Sequence, residues 1–176
     1  MYAYVQYLAK QIDQNKPFVL IGSSLGGMQA TEMSTFLAPE KTIIISSAKS
    51  RKELPHRYRF QKLLPIYDLV PPNLSKRGAL ILQPIVEPDR NSNKEVFVNM
   101  LKDKPLLFLQ RTIQMIIEWN RTEAPDHIIH IHGDKDHTLP HKHIQYDYLI
   151  KDGSHMMALT RAEEISELIQ EILDQE

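Results

Sequence analysis

Short apolar runs along the chain alternate with stretches whose apolar residues recur at helical spacing. Four runs rich in isoleucine, valine and leucine predict buried strands at 18–21, 42–45, 128–131 and 148–150. Helical spacing predicts amphipathic helices over 3–14, 25–37 and 160–173. Because strands that alternate with helices favour a parallel sheet flanked by helices, the sequence predicts the α/β fold class.

The last of these helices has the clearest predicted start. Thr160 and Glu163 have the spacing of a capping box, in which the two side chains bind the free amides of the first turn. An apolar stripe at helical spacing follows: Ile165, Leu168, Ile169, Ile172 and Leu173. We therefore expect a capped helix that packs one face against the sheet.

Residues from about 50 to 125 break this alternation. They are rich in proline and bulky apolar residues and include RYRFQKLLPIYDLV and PLLFLQRTIQMIIEW. The segment predicts a helical insertion that forms a lid over one end of the sheet; the alternative is a helical layer with no gating role. Trp119 is expected on the apolar face of a lid helix, packed in the core rather than lining an acyl pocket.

Composition narrows the class of protein. Charged residues make up 24% of the 176 residues and the formal net charge is −1, so no overall field favours nucleic acid or anionic lipid. The absence of cysteine excludes disulfides, thiolate metal sites and cysteine nucleophiles. No signal-peptide pattern and no membrane-spanning apolar stretch is present. We expect one soluble, cytoplasmic domain over 1–176, with no nucleic-acid or membrane partner and no cofactor.

The motif Gly22-Ser23-Ser24-Leu25-Gly26-Gly27 lies between the first strand and a helix. Gly-x-Ser-x-Gly at such a junction is a nucleophile-elbow pattern, which strains the central serine, exposes its hydroxyl and needs small residues two before and two after. The pattern selects Ser24 over Ser23, and the amide of Leu25 faces the position of an oxyanion. The alternative, a phosphate-cradling turn, lacks a Walker lysine and Gly-x-Gly-x-x-Gly spacing.

Two further motifs follow later predicted strands. After the third strand, HGDKDHTLP offers Asp134 and Asp136 as acids on a loop that a catalytic imidazole could reach. After the fourth, DGSH offers His155, and Gly153 is expected to free the backbone so that this histidine swings over the sheet edge. Five of the six glycines fall in the three motifs, which indicates strict backbone demands there.

The three motifs together resemble those of the α/β-hydrolase superfamily, in which the nucleophile, acid and base follow in this chain order. The matching stretches are PFVLIGSSLGGMQATEM, KTIIISSAKSRKELP, IIHIHGDKDHTLP and DGSHMMALTRAEEISELI. The resemblance implies Asp136 rather than Asp134 as the triad acid, with Ser24 as nucleophile and His155 as base. It implies a serine hydrolase, esterase- or thioesterase-like, that acts on a small ester-like substrate through an acyl-enzyme.

One departure from that family concerns the start of the chain. About four strands normally precede the nucleophile strand, and they flank it and supply the second oxyanion-hole amide. We therefore expect a fragment of a longer protein, a homodimer paired through the exposed edge of strand 18–22, or a weak catalyst. The alternative function is a catalytically weak or non-catalytic scaffold that serves binding or assembly.

The cluster of histidines gives a second alternative function, a metal-dependent hydrolase that uses the histidines and aspartates of this cluster. Seven of the eight histidines lie between 127 and 155, and HIHGDKDH is similar to the metal motif of metallo-β-lactamase-like hydrolases. Lys135 stands where that motif needs its final histidine, so we expect no functional metal site there. His141 and His143 form a pair that could bind a stray transition metal. The ordinary interpretation of the loop histidines is solvation or hydrogen bonding.

Overall fold

Four parallel strands form the sheet in the computed structural model, which describes residues 1–61 and 104–175. The strands lie in the order β1-β2-β3-β4. Their bounds are Val19–Ser23 (β1), Lys41–Ile45 (β2), Ile128–Gly133 (β3) and Tyr148–Ile150 (β4). The prediction of an α/β fold with a parallel sheet flanked by helices is confirmed.

Six α-helices and two short 3₁₀ turns accompany this sheet within the described residues. The helices are Tyr2–Ala9 (α1), Leu25–Met33 (α2), His56–Gln61 (α3), Leu106–Glu118 (α4), Met157–Thr160 (α5) and Ala162–Asp174 (α6). The 3₁₀ turns are Arg51–Glu53 and His141–His143. No helix in these parts of the chain is long and apolar enough to cross a membrane.

Each face of the sheet has its own apolar cluster. On one face Leu20 and Ile44 pack with Val5 of α1 and with α2. On the other face Ile43 packs with α5 and with Ile165 of α6. A strand buried on both faces requires a nearly continuous apolar run, which explains the sequence TIII of β2. Each such side chain contributes about 1.5–3 kcal/mol when fully buried.

Two predicted helices end earlier than their apolar spacing suggests. After α1, the Asp13 carboxylate accepts a hydrogen bond from the Asn15 amide, and this local turn competes with helix. After α2, the hydroxyls of Ser34 and Thr35 donate to the carbonyls of Thr31 and Glu32. The Ser34 hydroxyl thus satisfies a carbonyl at the helix end, and the Glu32 carbonyl also accepts the Thr35 amide.

The predicted capping box at Thr160 is wrong. Thr160 ends α5, and its hydroxyl donates to the carbonyl of Met156 instead of capping the next helix. Arg161 occupies the N-cap position of α6 without a side-chain cap, at φ −131° and ψ 40°. The chain thus breaks at Arg161, and the apolar stripe of α6 packs as expected.

The predicted lid is described only at its two ends. Both ends include helices, α3 and α4, and residues 62–103 lie outside the described residues. Trp119 is only 2% exposed, packs with Met28, Leu54 and Leu139, and donates its indole N–H to Glu32. Its expected place in the core is therefore found, whereas the gating role of the insertion stays a prediction.

Strand β1, which Ser24 directly follows, is an outer strand of the described sheet. It pairs only with β2, and Ile21 on it is 50% exposed. β4 is the opposite outer strand, and its Leu149 is 42% exposed. An exposed apolar side chain on an unpaired strand favours association with another strand.

Pairing of two copies through β1 stays a prediction, and it has a matched control. We expect the protein to show a concentration-dependent dimer in light scattering after size exclusion. Ile21→Lys should abolish this dimer, because a charge on the edge opposes strand pairing. Leu149→Lys, the same change on the other outer strand, should leave it intact. A monomer at every concentration, or a dimer lost equally in both variants, contradicts this pairing.

Candidate active site

Ser24 lies at the turn between β1 and α2 with a left-handed backbone. Its φ is 52° and its ψ is −121°, a strained conformation for a residue with a side chain. Two contacts from β2 and the loop after it hold it there: the Ser24 amide donates to the Ile45 carbonyl at 2.9 Å, and the Ser47 hydroxyl donates to the Ser24 carbonyl at 2.7 Å. The backbone is thus held from both sides, as an elbow requires.

The glycines of this motif have different roles. A Cβ on Gly22 would overlap the backbone of Gly26, and a Cβ on Gly27 would overlap the side chain of Ser47. A Cβ on Gly26 would meet no atom within 4 Å. The expected close passage is therefore found at Gly22, but the second position that requires glycine is Gly27. The expectation that a small residue is needed at Gly26 is wrong.

Asp136 projects from the loop after β3, and it is buried. One carboxylate oxygen, Oδ1, accepts the Leu139 amide at 2.7 Å, and the other, Oδ2, lies 2.8 Å from Nδ1 of His155. Asp134, the alternative acid, instead accepts a hydrogen bond from Nδ1 of His141 at its backbone carbonyl, and its own Oδ1 is buried without a partner. The geometry therefore favours Asp136.

His155 follows β4 on a loop that packs tightly against the acid loop. A Cβ on Gly133 would overlap the backbone of Gly153, and the Lys135 amide donates to the Gly153 carbonyl at 2.9 Å. The positive φ in this loop, 56°, belongs to Asp152, not to Gly153. The expected role of Gly153 as a flexible point is therefore wrong: it allows the two loops to approach each other.

These loops bring Ser24, His155 and Asp136 together in series. Oγ of Ser24 lies 2.9 Å from Nε2 of His155. A carboxylate only accepts hydrogen bonds, so Nδ1 of His155 bears the proton shared with Asp136, and Nε2 is free to accept the serine hydroxyl. α2 begins at Leu25, whose amide is among the first-turn donors without an intrahelical acceptor.

A pair of buried histidines lies behind this series, and sequence reasoning missed its arrangement. Nδ1 of His132 and Nε2 of His130 are 3.2 Å apart, and neither side chain reaches solvent. Burial lowers the pKa of His130 to about 3, and it lowers the pKa of His132 as well. Their outer nitrogens face the carbonyls of Gln145 and Leu139. Within the described residues, no histidine, aspartate and glutamate side chains form a group of three that could hold a metal.

No protein-family model and no curated protein matches the sequence. Solved structures do match. A hydrolase from Pseudomonas aeruginosa PA01 superposes with a TM-score of 0.69 at 15% identity, covering 98% of this chain and 70% of that one. A thermophilic esterase from Thermogutta terrifontis gives 0.65 at 16% identity, covering 94% and 68%. A meta-cleavage product hydrolase from Pseudomonas fluorescens IP01 gives 0.64 at 14% identity, covering 95% and 68%.

The chain has the α/β-hydrolase fold. At 14–16% identity this likeness establishes the fold and not the reaction that the site performs. On this fold, nucleophile, acid and base follow in chain order, and Ser24, Asp136 and His155 lie at the ends of β1, β3 and β4 in that order. The matched structures are longer than this chain, which spans 64–73% of their length.

The depressed pKa of His130 makes stability depend on pH. An unfolded histidine takes up a proton near pH 6.5, whereas folded His130 does so only near pH 3, so the unfolded state binds more protons between these values. The free energy of unfolding should therefore fall by about 1.4 kcal/mol for each pH unit below about 6 because of this residue. His130→Asn should remove that slope in urea unfolding at pH 4 to 8.

The matched control is His127→Asn, which changes an exposed histidine just before the same strand. Its unfolding free energy should follow the wild-type pH dependence. Equal slopes for wild type and His130→Asn would show that burial does not depress this pKa.

Proposed function

We propose that this α/β-hydrolase-fold protein is a serine hydrolase, esterase- or thioesterase-like, with a Ser24–His155–Asp136 triad. The observation that supports this most is the continuous series of two hydrogen-bond contacts, 2.9 Å and 2.8 Å, from the Ser24 hydroxyl to the buried Asp136 carboxylate. Such a series activates a weak nucleophile, because the imidazole accepts the hydroxyl proton while the carboxylate orients the ring.

In the proposed reaction, Oγ of Ser24 attacks the ester or thioester carbonyl carbon while Nε2 of His155 takes the hydroxyl proton. The oxyanion of the tetrahedral intermediate lies at the start of α2, where the Leu25 amide and the positive end of the helix stabilise it. When the intermediate collapses, His155 returns the proton to the leaving group and the acyl group stays on Ser24. Water, deprotonated by His155, then releases the acid.

The substrate class rests on this geometry and on the structural likeness. An acyl-enzyme mechanism suits a small ester-like molecule with a good leaving group, and one of the matched structures is described as an esterase. The non-catalytic alternative is favoured by the exposed edge of β1 alone. The strained backbone of Ser24 favours the enzyme, because a scaffold for binding has no need of a conformation that costs of order 1–3 kcal/mol.

Labelling with a fluorophosphonate probe tests this proposal. The probe should attach to Ser24, and Ser24→Ala should abolish labelling because the nucleophile is gone. His155→Ala should slow labelling by about 10³-fold or more, because the hydroxyl is then not activated.

Ser23→Ala is the matched control, since Ser23 is the neighbouring serine on β1 and its side chain is exposed. It should label at the wild-type rate. If folded wild-type protein resists the probe, or if label remains in Ser24→Ala, the proposed nucleophile is wrong.

A further inference from the structure

The loop after β2 contacts both the nucleophile elbow and the histidine pair through one residue, Ser47. Its hydroxyl donates to the Ser24 carbonyl at 2.7 Å, and its amide donates to Nε2 of His130 at 3.4 Å. Ser47 is fully buried. A buried hydroxyl and amide without partners would cost free energy, so both bonds constrain where this residue can lie.

The chain of contacts continues from His130 to the triad acid. Nε2 of His130 lies 3.2 Å from Nδ1 of His132, whose Nε2 donates to the Leu139 carbonyl at 2.8 Å. The same Nε2 lies 3.6 Å from Oδ2 of Asp136, and the Leu139 amide binds Oδ1 of that carboxylate. His132 therefore contacts the acid both directly and through the loop that holds it.

These contacts close a ring with the triad. In front, the side chains of Ser24, His155 and Asp136 contact one another in series. A second, buried path, here called the rear chain, runs from Ser47 through His130 to His132 and connects the carbonyl of Ser24 with the carboxylate of Asp136. The side chains of the rear chain are completely buried, on or just beyond β2 and β3.

We propose that Ser47, His130 and His132 are positioning residues that fix the distance between the nucleophile elbow and the acid loop. This inference rests on the proposed triad. The two ends that the chain connects lie after β1 and β3, which are not neighbours in the sheet, so the sheet pairing of these strands does not fix their loops directly. A misplacement of about 1 Å between reacting groups lowers rates by roughly 10²-fold, so such a connection matters for catalysis.

The protonation of the histidine pair follows from its partners. Carbonyl oxygens only accept, so Nδ1 of His130 bears a proton toward Gln145 and Nε2 of His132 bears one toward Leu139. The Ser47 amide requires a lone pair on Nε2 of His130, in agreement with that tautomer. Nε2 of His130 and Nδ1 of His132 then face each other with no proton between them, so the two rings contact by edge-to-face packing, with centroids 5.0 Å apart, and not by a hydrogen bond. The Nε2–H of His132 then directs its positive end near Asp136 and partly compensates the carboxylate charge.

Charged and titratable groups from several elements face the pair. Lys49 acts on His130, whose backbone amide also binds the Asp147 carboxylate, whereas Asp136, His155 and His141 act on His132. Among them Asp136 contacts His132 directly, with Oδ2 of Asp136 3.6 Å from Nε2 of His132. Loss of the His132 ring should therefore leave the full carboxylate charge to stabilise the imidazolium form of His155. That form cannot accept the serine proton, so reaction should require higher pH.

The first test compares two buried serines in labelling by the fluorophosphonate probe. Ser47→Ala should slow labelling of Ser24 by about 10- to 100-fold. Ser34→Ala, which also removes a buried hydroxyl bonded to a backbone carbonyl, lies outside the ring and should label at the wild-type rate. Equal rates for Ser47→Ala and wild type, or equal slowing by both changes, overturn the positioning role of Ser47.

The second test uses the pH profile of the labelling rate. His132→Leu should move its acid limb to higher pH by roughly half to one unit, and His132→Gln, which retains an N–H donor, should restore much of the wild-type profile. A His132→Leu profile that is lower everywhere but unmoved would indicate a merely structural residue and overturn this part of the proposal.

A third measurement separates this inference from the proposed function. Long-range proton–nitrogen NMR of the histidine rings in Ser24→Ala protein requires no activity. It should show His130 with its proton on Nδ1 and slow exchange of that proton with solvent. A proton on Nε2 of His130 overturns the rear chain, whether or not the wild type labels. Failure of labelling together with the expected tautomer overturns the hydrolase proposal alone.

Discussion

The left-handed backbone of Ser24 is the constraint on which the rest of the site depends. A strand that turns into a helix at one residue leaves no freedom for that residue, so its hydroxyl direction is set by the backbone rather than by a rotamer alone. The strain is offset by contacts with the end of β2, by the absence of a side chain at Gly22 and Gly27, and by the apolar packing of β2 on both faces.

The placement of the three site residues was predictable, because it depends on which residues directly follow each predicted strand in the sequence. Each of the three motifs directly follows an apolar run, and the carboxyl ends of parallel strands lie at one edge of a sheet. The placement of Ser24, Asp136 and His155 therefore follows from strand direction alone. The sequence did not predict that Gly27, rather than Gly26, is the position where a side chain would not fit. The atoms in the way belong to Ser47, twenty residues away in the chain.

The same reason explains what sequence reasoning missed. Ser47 belongs to no chemical motif, and the stretch HIHGDKDH suggested a metal motif rather than a buried histidine pair. The contact between Ser47 and His130 joins the loop after β2 to β3, which only the fold brings together. At Thr160 a local pattern was misleading. It suggested an N-cap of α6, but the Thr160 hydroxyl donates to the Met156 carbonyl of the preceding turn. The spacing of His130 and His132 was the available signal, because residues two apart on a strand lie on the same face of the sheet.

The most direct test of the proposed triad is the covalent state of Ser24 during turnover of a simple ester. The protein would be mixed with 4-nitrophenyl acetate, quenched in acid within the first turnover and mapped by peptide mass spectrometry. The proposed mechanism expects one acetyl group on the peptide that contains Ser24, and none on that peptide in His155→Ala. Release of nitrophenol with the acetyl group elsewhere, or with no acetyl group on the protein, would contradict it.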